Sequence, residues 1–214
     1  MSKLIIRNAR LVNEGAITES DVLIEDERIA KIATSIKVDS NVCAIDAEGK
    51  LLIPGMIDDQ DHFREPGLTH KADLATESAA SVAGGITSFM EMPNVNPQTT
   101  NKDALKNKYG LAKDRCRANY SFYMGATNTN IEDIKSLEVN DACGIKAFLG
   151  ASTGDLLVDD PLALELLFEH APIIVVTHCE DTPLIRENEK KAKEKYGDDI
   201  PMSEHPYIRS DEVC

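Results

Sequence analysis

Through the first 50 residues apolar and polar positions alternate in short runs, IIRNARLV, DVLIEDERIAKI and NVCAIDAEGKLLI, separated by Gly15, Asp26, Glu27 and Gly49. Side chains on an extended strand point to opposite faces in turn, so this rhythm predicts short antiparallel strands joined by turns. From Leu51 the pattern changes to an apolar run followed by an amphipathic stretch, repeated along the chain. That is the sign of βα units around a parallel sheet. Strands are expected near 51–62, 86–92, 118–126, 144–149 and 173–179, and helices near 71–83, 101–114, 131–142, 160–170 and 182–196. Asn101 and Asp160 stand at expected helix starts, and Gly84, Gly110 and Gly197 near expected ends.

The expected fold is α/β, with a small N-terminal β-sandwich over residues 1–50 and a (β/α)8 barrel over 51–214. A complete barrel takes about 250 residues. The 164 residues after position 50 leave room for five or six units, so an incomplete barrel of about five is expected. A composition of 42% hydrophobic and 28% charged residues is that of a globular chain, and a net charge of −14 argues against nucleic-acid partners and adhesion to anionic membranes. The N-terminus shows no signal-type apolar region and no run approaches a membrane span, which gives a cytoplasmic expectation. The five cysteines, at 43, 116, 143, 179 and 214, form no Cys-x-x-Cys pair. They indicate neither a disulfide framework nor a structural zinc site and are expected to be mostly buried thiols.

The richest chemistry lies in LLIPGMIDDQDHFREPG, residues 51–67. Strand alternation there would put Asp58, Gln60, His62 and Arg64 on one face and Asp59, Asp61 and Phe63 on the other. Further polar groups fall at expected strand ends: Met92-Pro93-Asn94, Lys146 within Gly144-Ile145-Lys146-Ala147-Phe148, and His178 within Val176-Thr177-His178-Cys179-Glu180-Asp181. The C-terminal strand ends are where barrel active sites gather. His62 and His178 are candidate zinc ligands, because imidazole suits Zn2+. His70, His170 and His205 have no supporting partners and are set aside. A lysine inside an apolar strand, as at Lys146, is unusual, and burial would favour its neutral amine. Arg64 could grip a carboxylate through two parallel hydrogen bonds or form a surface salt bridge. Cys179 is expected to face the core, and Glu180 to orient a ligand or to cap a helix N-terminus. Asp61, expected on the helix-facing side, would be costly if buried without a partner.

The stretch from Asp58 to Gly67 resembles the metal-dependent cyclic amidohydrolases, whose first barrel strand ends in Asp-x-His-x-His, and the Phe63-Arg64-Glu65-Pro66-Gly67 continuation looks most like dihydroorotase. Gln60 stands where the family has its first histidine, and Asp61 where it has a small apolar residue. The resemblance runs over residues 1–214. It implies that the last barrel strands, and the segment completing the small β domain, lie beyond Cys214. It also implies two zinc ions held by Gln60, His62, Lys146 and His178, with Lys146 carbamylated by carbon dioxide. By the same resemblance Arg64 and Asn94 would bind the carboxylate of a small-molecule substrate. The implied reaction interconverts dihydroorotate and N-carbamoyl-L-aspartate, with a general base and a further histidine ligand beyond Cys214, so that this chain alone would be inactive or nearly so. A homodimer is a further expectation. Two alternatives stay open: an inactive structural partner, for instance of a transcarbamoylase, which Gln60 and Asp61 favour, and an amidohydrolase of hydantoins or allantoin, against which Arg64 counts.

Overall fold

The computed structural model describes residues 2–150 and 154–213, and these divide into two compact units, one up to Gly55 and one from Met56 onward. In the first, β1 (Lys3–Asn13), β2 (Ala16–Glu25) and β3 (Arg28–Ala33) form the expected antiparallel run. Glu14, Gly15 and Asp26 take positive φ at the two turns, where short loops between twisted strands require it. Two further strands, β4 (Cys43–Asp46) and β5 (Leu51–Leu52), pair parallel to β1 rather than antiparallel. The result is one five-stranded sheet, in the order β3-β2-β1-β4 with β5 also on β1, rather than the two packed sheets of a sandwich. Ile5, Ala9, Val22 and Ile36 are buried in this unit. So is Asp21, whose carboxylate is satisfied by Arg7 Nη1 at 3.2 Å and by the backbone N–H groups of Asn8 at 3.2 Å and Ile36 at 3.0 Å.

The second unit holds β6 (Met56–Asp61), β7 (Ile86–Glu91), β8 (Asn119–Gly125), β9 (Gly144–Phe148) and β10 (Val175–His178), all parallel and neighbours in chain order. Sequential order without a reversal is the winding of a barrel rather than of a doubly wound sheet. The connections carry α1 (Leu74–Ala83), α2 (Lys102–Ala112), α3 (Ile131–Lys135) and α4 (Pro161–His170), and α5 (Thr182–Tyr196) and α6 (His205–Ile208) follow β10. Asp73, Asn101, Asp160 and Asp181 each accept a backbone N–H at a helix start, which satisfies donors the helix itself cannot. Phe63, Leu74, Phe89, Leu105, Phe122, Met124, Ile145 and Leu167 form the core, with the Phe63 and Phe89 ring centroids 4.5 Å apart.

Three expectations need correction. The strand expected over 51–62 is two strands in different units, because Ile53, Pro54 and Gly55 interrupt it and Pro54 has no N–H for a ladder. The helix expected over 131–142 ends at Lys135, where Ser136 N–H and Oγ both bond back to the Asp133 carbonyl. The cysteines are not mostly buried: Cys43 and Cys179 are exposed, Cys116 and Cys143 half-buried, and Cys214 lies outside the described residues.

Candidate active site at the strand ends

Strand β6 contains a bulge. Asp58 pairs with Phe89 and Asp61 with Glu91, so three residue steps on β6 face two on β7. The extra residue breaks the period-two alternation, and the face assignment expected over 58–64 fails for that reason. Asp58 accepts the Gln60 N–H at 3.1 Å. Burial pushes the Asp61 carboxyl up to about 7, and the charge of Asp58 and a hydrogen bond to it act in the same direction. The Asp61 Oδ2 atom is buried without a hydrogen bond. Gln60 itself is exposed.

Beyond the bulge the turns after β6 and β7 zip together. The Met92 N–H donates to the Asp61 carbonyl at 2.9 Å and the Asn96 N–H to the Pro66 carbonyl at 3.0 Å. Gly67, with φ +79, lies so close to the second turn that a Cβ there would stand 1.9 Å from the Asn96 carbonyl oxygen. This closure brings three of the expected site residues together. His62 Nδ1 lies 2.9 Å from Asn94 Oδ1, and Arg64 Nη1 donates to the Asn94 carbonyl at 3.3 Å. An amide oxygen only accepts, so Nδ1 carries the proton and Nε2 keeps its lone pair. Burial lowers the His62 pKa, the Arg64 cation lowers it further, and Lys146 and Lys108 act the same way against the Asn94 bond. His62 is therefore a neutral imidazole with one nitrogen open. Among the described residues the Arg64 guanidinium has no carboxylate partner, so a surface salt bridge does not account for it.

Lys146 is 2% exposed. Its amine has the Phe148 ring 5.0 Å away and, among the described residues, no acid and no hydrogen-bond acceptor. Burial accordingly pushes its pKa down. His178, at the end of β10, has Nε2 buried without a hydrogen bond, 3.6 Å from Glu180 Oε2. Glu180 is in turn ion-paired to Arg209. Cys179, expected in the core, is exposed. His70, His170 and His205 lie on the surface.

The donor chemistry fits a divalent metal: an open imidazole nitrogen on His62, one on His178 that faces Glu180 without a hydrogen bond among the described residues, and the amine of the buried Lys146, which has no carboxylate partner among them. Among the described residues no three His, Cys, Asp or Glu side chains gather as a ready metal cage. Two groups missing from the expected set are Glu91 and Lys108, an ion pair with both side chains 0% exposed. Their signal was available: Glu91 interrupts the apolar run ITSFMEM, and Lys108 falls on the Leu105–Ala112 stripe of α2.

The pattern of the dihydro-orotase-like family matches residues 49–189. An L-hydantoinase of Paenarthrobacter aurescens is 32% identical over 211 residues, covering 95% of this chain and 46% of that protein. A dihydroorotase of Methanosarcina acetivorans is 32% identical over 212 residues, covering 98% of this chain and 44% of that protein. Among solved structures, the L-hydantoinase (dihydropyrimidinase) from Arthrobacter aurescens superposes with a TM-score of 0.86 at 30% identity, over 98% of this chain and 47% of that one. The chain thus spans a little under half the length of these relatives. On the family pattern and on the shared barrel winding, the chain belongs to the dihydro-orotase-like family.

Proposed function

We propose that this chain carries the metal-binding and carboxylate-binding strand ends of a cyclic amidohydrolase, and that its substrate is of the dihydroorotate type. The observation that carries this reading is Arg64: a guanidinium without an acid partner among the described residues, tied through Asn94 to a neutral His62. A half-buried arginine left without an anion is a binding group for one.

The reaction adds water across a ring amide. The C–N bond breaks, hydroxyl goes to the carbonyl carbon and a proton to the nitrogen; ring closure reverses these changes. His62 Nε2, Lys146 and His178 Nε2 would hold the metal, with Gln60 as a weaker neutral donor. A bound divalent metal supplies Lewis acidity and lowers the pKa of water toward about 7. Zinc is the ion this donor set suits, and two per site is the number the family resemblance implies. Lys146, biased by burial toward the neutral amine, would add to carbon dioxide: an N–C bond forms as one C–O π bond of carbon dioxide breaks, one proton leaves the nitrogen for solvent, and the resulting carbamate offers two oxygens that share one negative charge. Arg64 binds the substrate carboxylate and so orients the ring. Asn94 holds the imidazole of His62 through its side chain and the guanidinium of Arg64 through its backbone.

The L-hydantoinase relatives support a second reading, in which the substrate is a hydantoin. The two part on the carboxylate, which unsubstituted hydantoin lacks. Calorimetric binding of N-carbamoyl-L-aspartate to the zinc-loaded protein well above that of hydantoin supports the first reading, and the reverse order supports the second.

A further inference from the structure

Lys108 projects from α2 into the layer between helix and sheet and meets Glu91 at the end of β7, with Nζ and Oε2 3.0 Å apart and both side chains 0% exposed. Apolar residues of similar volume often replace a buried ion pair without loss of stability, so stability alone gives no reason for this one. Apolar residues could not, however, bond the backbone as this pair does. Lys108 Nζ donates to the Met92 carbonyl at 3.0 Å. Glu91 Oε1 accepts the Arg64 N–H at 2.9 Å. Met92 opens the turn that delivers Asn94, and Phe63 and Arg64 form the turn that follows His62. Arg64 has φ +71, a left-handed conformation that a non-glycine residue keeps only where its surroundings impose it.

We propose that Glu91 and Lys108 are positioning residues: one buried ion pair fastens the turn at 63–64 to the turn at 92–94 and so fixes Arg64 and Asn94 around His62 for a carboxylate-bearing substrate. The proposal rests on the reading of Arg64 as the carboxylate group. Neither residue touches substrate; each acts through the backbone it holds.

The test compares the zinc-loaded parent with Glu91→Leu, Lys108→Met and the Glu91→Leu/Lys108→Met double variant. Each single change leaves a buried charge unpaired and lowers the melting temperature sharply, while the double change recovers much of that loss, the Met92 carbonyl and the Arg64 N–H left without their partners keeping it below the parent. The double variant is expected to bind N-carbamoyl-L-aspartate about tenfold more weakly by calorimetry, because Arg64 is no longer held. A stable double variant with parental affinity would overturn the proposal. A second measurement needs no variant: in the parent, the Arg64 amide should exchange as slowly as its neighbours in β7, and exchange at the rate of an open turn overturns the proposal whether or not the double variant folds. Arg64→Ala runs alongside. Unchanged affinity in that variant defeats the carboxylate reading, while the amide exchange still judges the fastening of the turns.

Discussion

His62 Nδ1 and Asn94 Oδ1 are 2.9 Å apart, a bond between the strand end of β6 and the turn after β7. It assigns the His62 tautomer from outside its own strand, leaving Nε2 as the free nitrogen. A ring fixed in this way is a better metal ligand than a free one.

Asn94→Ala removes that bond while leaving the backbone carbonyl that Arg64 uses. Zinc affinity of the purified protein, measured by competition with a chelator, is expected to fall roughly 10–100-fold. Parental affinity in this variant would show that the Asn94 side chain does not orient the ligand.

Lys146→Met takes away a buried amine that has no carboxylate partner among the described residues. Thermal stability should be unchanged or raised, since desolvation of a charge is relieved. Bound metal, by elemental analysis, should fall, because a methionine cannot form a carbamate. Full metal occupancy and undiminished turnover in this variant would remove Lys146 from the site.

The Asp61 carboxyl titrates at about 7 in the folded metal-free chain, above its unfolded value of about 4. A raised carboxyl binds more protons folded than unfolded, so its stabilising share is complete below about pH 4 and is lost as pH rises through about 7. Asp61→Asn keeps the shape of the protonated form and should flatten this slope. At pH 8 it should gain stability on the order of 1–2 kcal/mol, after discount for its half-buried position, and at pH 4 nothing. Urea midpoints of the metal-free protein at the two pH values check this, and an equal shift at both contradicts it.

Gly67→Ala adds a methyl to a residue at φ +79 and drives it against the Asn96 carbonyl. The left-handed backbone alone costs roughly 1–2 kcal/mol, and the clash separates the two turns that carry Arg64 and Asn94. Loss of N-carbamoyl-L-aspartate binding together with a lowered melting temperature is expected; an alanine variant with parental binding would mean that the turns need not close.

The βα rhythm of the second unit was legible because each strand is an apolar run bounded by helix caps, as at Asn101 and Asp160. His62, Lys146, His178, Arg64 and Asn94 could be picked out because each interrupts or ends such a run. What local pattern could not show were the pairings set elsewhere in the chain. Strands β4 and β5 lie parallel to β1 through long connections, and the bulge between Asp58 and Asp61 becomes visible only against the register of β7. Lys108 reads as an ordinary helical lysine until the apolar stripe that contains it is set against Glu91 on the facing strand.

The central claim is that Arg64 selects a carboxylate, and calorimetric binding of N-carbamoyl-L-aspartate and of hydantoin to the zinc-loaded parent and to Arg64→Ala tests it most directly. The account predicts that Kd for the carboxylate substrate rises by about a hundredfold while that for hydantoin stays within a few-fold of the parent. An equal loss on both substrates, or none on either, would contradict it.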